Sequence, residues 1–469
     1  MNNSLKMILI SNVILFANGY NIMNKIIAKD SFIKTNIKLS STGSENFIYG
    51  TTWNGGNSGC DNYFGHGCGT IYKLDTTTGL VTTLYKFSWG DGANPNPSLV
   101  TMGNDGFLYG TTWEGGNSGC DNMLRHGCGT IFKFNPTTGA LTTLFKFYHG
   151  IGTNPNASLT TIGNDGFLYG TTREGGISGC DTKYSHGCGT IFKINPTTGE
   201  LSTFYAFSKG DGAYPNSTLT TLGNDGFLYG TTWEGGNSGC DTSLTHGCGT
   251  IFRINPTTRA FTTLYRFSKG DGSNPNASLA RVGNDGFLYG TTWEGGNNGC
   301  NIIYSFGCGT IFRINPTTGA LTTLYKFSWG DGANPNSSLT TIGSDGFLYG
   351  TTWEGGNSGC DINISHGCGT IFRINPTTGA LSTLYRFSWG DGANPNSLLT
   401  TIGEDGFLYG TTWEGGNSGC DSQFGHGCGT IFKIDPTTVE LTTLYRFSKG
   451  DGANPNTSLS TTGVIDINY

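Results

Sequence analysis

Charged side chains are scarce in this chain. They make up 12% of its 469 residues, with 26 lysines and arginines against 32 aspartates and glutamates, and the formal net charge is −6. No segment of the sequence concentrates basic residues. Binding to nucleic acid or to an anionic membrane surface depends on clustered positive charge. The composition therefore argues against both kinds of partner.

Helical periodicity and catalytic motifs are missing as well. Apolar residues do not recur at the spacing of an amphipathic helix, and turn-forming residues are too frequent for long helices. The chain contains no G-x-S-x-G, H-E-x-x-H or phosphate-binding glycine motif. Residues found in a single copy of the repeated pattern described below include His149, Ile151, Arg173 and Phe306. They do not form an acid–base set, so we expect a non-catalytic protein without a cofactor.

Long apolar runs are absent too. The run Met7–Ala17 is too short to cross a bilayer, follows Lys6 and ends in the small residues of Ala17-Asn18-Gly19. We predict that residues 1–19 are a cleaved signal peptide and that residues 20–35 are a lead segment. The alternatives are an uncleaved anchor or a disordered start. The mature protein is then expected to be secreted or at the cell surface, with no membrane span.

Repetition is what the chain has in abundance. Residues 36–455 repeat one pattern seven times with a period of 60 residues, and the phrase Leu108–Trp113 returns in every copy with few changes. Each copy holds four strand-like segments separated by turn residues. In the second copy these segments are 97–102, 107–112, 130–134 and 141–147. The pattern predicts an all-β, seven-bladed β-propeller of four-stranded antiparallel blades. A right-handed β-solenoid is the structural alternative.

The two ends of the repeat region overlap in sequence. The first strand-like segment occurs eight times and the other three occur seven times, because residues 36–49 align with residues 456–469. We expect residues 36–469 to form one propeller in which overlapping terminal segments close the ring. Of the two segments, we favour the N-terminal one as the strand that completes the first blade.

All fourteen cysteines lie in the repeats, two in each copy. The pairs are Cys60/Cys68, Cys120/Cys128, Cys180/Cys188, Cys240/Cys248, Cys300/Cys308, Cys360/Cys368 and Cys420/Cys428. Strict pairing favours local disulfides and an oxidising compartment. In most copies an aspartate and a histidine lie between the cysteines, and the four could bind zinc. The fifth copy keeps both cysteines but has Asn301 and Phe306 in those two places. We therefore predict seven disulfides and no metal site.

A tryptophan ends the Leu-Tyr-Gly-Thr-Thr phrase in six copies, and a glutamate follows it in five of these. The candidate ligand-binding residues are Trp53, Trp113, Glu114, Trp233, Glu234, Trp293, Glu294, Trp353, Glu354, Trp413 and Glu414. An indole face can cover the apolar side of a sugar while a carboxylate accepts its hydroxyl hydrogens. The alternative is that the tryptophan fills the wedge between blades and the glutamate caps a turn. Arg173 replaces the tryptophan in one copy, which suits a half-exposed position.

The repeat resembles the Gloeo_Verruco (GloVer) tandem-repeat family of exported bacterial proteins. The matching residues of the second copy are Asp91-Gly92-x-x-Pro95, Asp105-Gly106-x-Leu108-Tyr109-Gly110-Thr111-Thr112, Gly115-Gly116, Gly129-Thr130-Ile131-Phe132-Lys133 and Thr142-Thr143-Leu144. The resemblance covers most of the chain. It implies a secreted or surface protein with a propeller-like fold, and it brings no known catalytic or binding residues. Members often carry a terminal surface anchor, which this chain lacks, so the resemblance implies export without attachment.

These observations predict a secreted, disulfide-stapled, non-catalytic binding module. One hypothesis is a multivalent carbohydrate-binding protein with equivalent pockets between its blades, built on the tryptophan and glutamate positions. The alternative is a scaffold propeller that engages an extracellular protein partner through its variable cysteine-bounded loops.

Overall fold

The computed structural model divides into two compact units, Met1–Ser44 and Glu45–Tyr469. It describes residues 8–10, 13–15, 47–57, 60, 67–96, 99–101, 105–117, 127–162, 165–176, 180, 187–222, 225–236, 240, 247–281, 285–296, 300, 307–342, 345–356, 360, 367–402, 405–416, 420, 427–456 and 458–460. In the first unit the strands Ile8–Ile10 and Val13–Leu15 pair antiparallel. Most of the predicted signal peptide and lead segment lies outside the described residues, and both stay predictions. Among the described residues there is no helix of the length and apolar character needed to span a membrane.

The second unit contains seven antiparallel sheets, one for each repeat, and forms the predicted seven-bladed propeller. We number the positions in a blade from first to fourth. The second-position strands are Phe47–Asn54, Leu108–Glu114, Leu168–Thr172, Leu228–Glu234, Leu288–Thr292, Leu348–Glu354 and Leu408–Glu414. The third-position strands are Thr70–Asp75, Thr130–Phe134, Thr190–Ile194, Thr250–Ile254, Thr310–Ile314, Thr370–Ile374 and Thr430–Ile434. The fourth-position strands are Val81–Lys86, Leu141–Lys146, Leu201–Ala206, Phe261–Arg266, Leu321–Lys326, Leu381–Arg386 and Leu441–Arg446.

The first position consists of short strands. They are Ala93–Pro95, Val100–Thr101, Thr160–Thr161, Ala213–Pro215, Thr220–Thr221, Ala280–Arg281, Ala333–Pro335, Ala393–Pro395 and Ala453–Pro455. In the second blade the predicted segment 97–102 is thus only part of this position, because pairing already begins at Ala93, opposite Glu114. Where the structure describes no strand, single bridges take its place, such as Thr153 opposite Glu174.

Burial explains why the strands of one blade differ in composition. Residues Leu348–Thr352 of a second-position strand are all buried, since both faces of this strand are covered. The β-branched threonines and the tyrosine there suit a pleated, covered surface. In the fourth-position strand Leu381–Arg386, Ser382 and Arg386 are exposed and the other residues are half-buried, as expected for a strand that is partly open to solvent.

Adjacent blades are joined by pairs of buried aromatic rings. A phenylalanine that follows a fourth-position strand packs edge-on against the ring of a third-position strand in the next blade, with centroids 5.2 or 5.3 Å apart. The seven pairs are Phe87–Phe132, Phe147–Phe192, Phe207–Phe252, Phe267–Phe312, Phe327–Phe372, Phe387–Phe432 and Phe447–Tyr72. Each of these side chains is fully buried. The seven contacts form a closed circle, so the blades close into a ring.

The C-terminal segment completes the first blade. Ala453–Pro455 pairs with Phe47–Asn54, and the backbone N–H groups of Tyr49 and Ser460 donate to each other's carbonyl oxygens at 2.8 and 2.9 Å. Our preference for the N-terminal segment was therefore wrong. The N-terminal copy has Ile33-Lys34-Thr35 where the C-terminal copy has Ala453-Asn454-Pro455, so it lacks the asparagine that takes a positive φ of 55° at this turn.

The cysteines form local disulfides wherever the structure describes both partners. The bonded pairs are Cys60–Cys68, Cys180–Cys188, Cys240–Cys248, Cys300–Cys308, Cys360–Cys368 and Cys420–Cys428. Their Cα atoms lie 5.0–5.2 Å apart, within the range for disulfides. Cys128 is disulfide-bonded as well, whereas Cys120 lies outside the described residues. The variable residues between the cysteines, including the aspartates and histidines weighed for zinc, also lie outside them.

Candidate ligand-binding site

The six repeat tryptophans come together around the centre of the propeller. Each follows the five-residue phrase of its second-position strand and contacts the tryptophan of a neighbouring blade. Ring centroids are separated by 6.2 Å for Trp233–Trp293, 6.3 Å for Trp293–Trp353, 6.2 Å for Trp353–Trp413, 6.1 Å for Trp413–Trp53 and 6.3 Å for Trp53–Trp113. The guanidinium carbon of Arg173 lies 5.8 Å from the Trp113 centroid and takes the seventh place. We call these seven residues the axial ring.

The axial ring differs from both expectations for the tryptophans. Separate pockets between blades would keep neighbouring indoles apart, yet here they contact one another and share one surface. The wedge between blades is filled by other rings, such as Phe327 and Phe372, which are fully buried while the tryptophans are only half-buried. The expected set of equivalent pockets between blades is therefore corrected to a single surface at the centre.

A circle of asparagine amides lies next to the axial ring. The Nδ2 atom of each asparagine donates to the Oδ1 atom of the next, over the series Asn156, Asn216, Asn276, Asn336, Asn396 and Asn456. Asn96 departs from the series, since its Nδ2 donates to the carbonyl oxygen of Pro155. An amide has two N–H groups and two acceptor lone pairs. Within the chain of bonds, each amide uses one N–H group and one acceptor lone pair in these contacts.

Five of the tryptophans and five of the asparagines line an open pocket of about 240 Å³. Its lining residues are Trp53, Trp233, Trp293, Trp353, Trp413, Asn156, Asn276, Asn336, Asn396 and Asn456. Sites for drug-sized ligands usually measure roughly 300–1,000 Å³. The pocket therefore suits a group about the size of one small ring, with apolar faces on one side and amides on the other.

A second set of asparagines holds the tryptophans in place. Asn394 adopts a positive φ of 57°, and its Nδ2 donates to the backbone carbonyl of Trp353 in the preceding blade at 3.0 Å. The same bond occurs in six copies, between Asn94, Asn154, Asn274, Asn334, Asn394 and Asn454 and their tryptophans, at 2.9–3.1 Å. Asparagine tolerates this left-handed backbone better than most residues. The sequence alone suggests only a turn here.

One position of the axial ring, and the asparagine position that supports it, have different residues. Arg173 replaces the tryptophan, and Tyr214 replaces the asparagine of the next blade while keeping a φ of 56°. The guanidinium carbon of Arg173 lies 5.5 Å from the centroid of the Tyr214 ring. A cation–π contact therefore replaces the hydrogen bond that the other six copies form to a tryptophan carbonyl.

The glutamates that follow the tryptophans are half-buried and do not line the pocket. In the sixth blade the hydroxyl of Thr352 donates to the backbone carbonyl of Glu354 at 2.9 Å, and Glu354 pairs in register with Ala333. The end of this second-position strand therefore pairs with the first-position strand of the same blade. Direct ligand contact by the glutamates thus stays a prediction, and the structure brings only the tryptophans together.

The strongest pKa shifts belong to tyrosines that donate to aspartates. The hydroxyl of Tyr349 donates to Asp345 at 2.7 Å, and that of Tyr289 donates to Asp285 at 2.7 Å. Burial, with the hydrogen bond and the aspartate charge adding to it, raises the pKa of both tyrosines to about 12. They are neutral donors at physiological pH and serve as structural ties between a turn and a strand.

Solved structures of low sequence identity share the fold. A candidate 6-phosphogluconolactonase from Bacteroides fragilis matches with 17% identity and a TM-score of 0.54, over 90% of this chain and 99% of that chain. A counterpart from Bacteroides uniformis matches with 13% identity and a TM-score of 0.52, over 89% and 99%. A puromycin hydrolase matches with 11% identity and a TM-score of 0.51, over 86% and 53%. At these identities the likeness extends to the fold alone.

The fold and the pocket define a seven-bladed β-propeller of tandem repeats with an axial ring of six tryptophans and one arginine. The model of the Gloeobacter/Verrucomicrobia repeat family matches residues 26–244 and 240–465. The chain belongs to this family, as its repeat residues predicted. No curated protein matches it.

Proposed function

We propose that this protein is a non-catalytic extracellular binding module and that it binds carbohydrate in the pocket at its centre. The observation that carries the proposal is the pairing of half-buried indoles with a circle of amides around one pocket. A pyranose has apolar C–H faces, which indoles cover, and hydroxyls that both donate and accept hydrogen bonds. The pocket offers both kinds of contact in a volume suited to one sugar ring.

The extracellular part of the proposal is supported by the disulfides. Six bonded pairs are described, and such bonds persist in oxidising compartments rather than in the cytosol. The non-catalytic part is supported by the repetition itself, because a reaction needs an acid, a base or a nucleophile placed asymmetrically. The pocket is lined by tryptophan and asparagine, which are neither acids nor bases at physiological pH.

The geometry favours one bound sugar per chain. Seven separate pockets would allow seven sugars, but the tryptophans and asparagines here share a single pocket of about 240 Å³. The end of a glycan chain, or one residue within it, would fill this space. We therefore expect monovalent binding in place of the multivalent binding expected from the sequence.

The test is a glycan-array screen of the oxidised protein, followed by calorimetry on each glycan that binds. Trp353→Ala removes an indole of the pocket and should weaken binding by about 2 kcal/mol, or roughly thirtyfold in Kd. Trp329→Ala is the matched control, because Trp329 is also half-buried but packs against the core and does not line the pocket. Unchanged affinity in the Trp353 variant would contradict the proposed site. Binding to no glycan would contradict the proposed ligand class and favour a protein partner.

A further inference from the structure

The axial ring is asymmetric at one position, and two neighbouring blades share the change. Six of its seven members are tryptophans whose carbonyls accept from an asparagine of the next blade. At the seventh, Arg173 and Tyr214 replace both partners of this pair. The two residues are 41 positions apart in sequence, and their side chains are in contact. The double replacement therefore acts as one structural unit.

The unit holds a positive charge against two aromatic rings. The guanidinium carbon lies 5.8 Å from the centroid of Trp113 and 5.5 Å from that of Tyr214. Within the part of the chain that the structure describes, Arg173 forms no hydrogen bond and no ion pair. Cation–π contacts use the face of the guanidinium group, whereas its five N–H donors point outward in its plane. No residue in the described part of the chain uses its hydrogen-bonding edge.

Tyr214 also adopts a left-handed backbone conformation that is unfavourable for tyrosine. Its φ of 56° is the value that the six asparagines adopt, and tyrosine forgoes the hydrogen bond that those asparagines make. A tyrosine tolerates this conformation less well than asparagine does. Its ring contacts the guanidinium of Arg173, and this contact helps to position the cation.

We infer that the axial ring is selective for a sugar that carries a carboxylate and that Arg173 binds this carboxylate through its N–H edge. This inference rests on the proposed carbohydrate function and assigns the charge of its ligand. Arginine binds carboxylates through two parallel N–H···O bonds, which fix orientation as well as charge. Arg173 and Trp113 are not among the residues that line the pocket, but Trp113 contacts Trp53, which does line it. The single arginine then gives the ligand one orientation, with its ring among the five indoles of the pocket and its carboxylate extending from the pocket toward Arg173.

The test uses a glycan panel in which each neutral member has a uronic-acid counterpart that differs only in oxidation at C6. The wild-type protein should prefer the acidic member by roughly 10- to 100-fold. The double variant Arg173→Trp/Tyr214→Asn installs the pair found in the other six copies, so it is expected to fold, and it should bind the acidic and the neutral member with equal affinity. Arg173→Lys should keep part of the preference, because it retains the charge but not the planar fork.

The outcomes separate the two proposals. Equal affinity for neutral and acidic members, with both lost in Trp353→Ala, would overturn the role of Arg173 and leave carbohydrate binding intact. A preference that survives in Arg173→Trp/Tyr214→Asn would likewise overturn it, as would stronger binding of sulfated counterparts. Binding of no member of the panel would overturn the carbohydrate proposal itself and this inference with it.

Discussion

Replacing Gly350 by alanine tests whether packing requires a glycine in the Leu-Tyr-Gly-Thr-Thr phrase of the repeat. Gly350 pairs in register with Phe372, and the ring of Phe372 lies over it. A Cβ atom at this glycine would stand 2.6 Å from Cζ of Phe372 and 3.0 Å from Cδ2 of Leu339. Carbon atoms in good contact are about 3.5–4.0 Å apart. The ring would have to move by about 1 Å to restore such a contact.

The ring of Phe372 has little room to move. It is fully buried, and it packs edge-on against Phe327 of the preceding blade at 5.3 Å. Overpacking of this kind costs about 1–3 kcal/mol. Gly350→Ala should therefore lower the free energy of unfolding by that amount, measured as a lower denaturation midpoint in guanidinium chloride at an unchanged slope.

Gly330→Ala is the matched control. A Cβ atom at Gly330 meets no other atom within 4 Å, and the backbone there does not adopt a positive φ. Alanine should therefore leave the midpoint unchanged or raise it slightly, because it restricts the unfolded chain. Equal midpoints for the two variants would refute the packing argument for the glycine of the phrase.

Three further predictions concern stability. The double variant Arg173→Trp/Tyr214→Asn should have a free energy of unfolding about 1–2 kcal/mol higher than wild type, because it regains a hydrogen bond and removes a tyrosine from a left-handed backbone conformation. A lower denaturation midpoint would contradict this. The pKa of Tyr349 is raised to about 12. The stability that its neutral hydroxyl contributes is therefore full below its unfolded pKa of about 10 and is lost as pH rises from there to 12. In Tyr349→Phe, the denaturation midpoint should fall less over that pH range than it does in wild type. Cys300→Ala/Cys308→Ala should cost about 2–3 kcal/mol, and a midpoint equal to wild type under oxidising conditions would refute a structural disulfide there.

Local features made the blades predictable from sequence. The turn residues and the β-branched, aromatic segments of each copy act over a few residues, and the period of 60 residues multiplies them into seven similar sheets. The disulfides were predictable for the same reason, because the cysteines of each bonded pair are separated by only 8 residues. The copy that lacks aspartate and histidine still forms its bond between Cys300 and Cys308.

The axial ring depends on closure of the whole propeller and was harder to predict. Trp353 and Trp413 are 60 residues apart in sequence, yet their rings are 6.2 Å apart because consecutive blades converge at the centre. A sequence pattern shows that the positions are equivalent but not that they meet. The asparagine circle was missed because Asn-Pro-Asn is typical of turns. Its signal was an asparagine at the position of Asn336 in all seven copies.

The segment that closes the propeller was predicted wrongly, although the sequence contains the difference that decides it. The similarity of the two terminal segments begins at Asn36 and Asn456, and the three residues before each of them differ. The three before Asn456, Ala453–Pro455, form the strand that pairs with the first blade. The N-terminal residues Ile33-Lys34-Thr35 do not match them.

The central claim is one carbohydrate site at the centre of the propeller, and the stoichiometry of binding tests it most directly. Isothermal titration calorimetry of the oxidised protein with a glycan identified on the array should give one sugar per chain, and Trp353→Ala should abolish or strongly weaken the signal while Trp329→Ala leaves it unchanged. Several equivalent sites per chain, or full affinity in the Trp353 variant, would contradict the account.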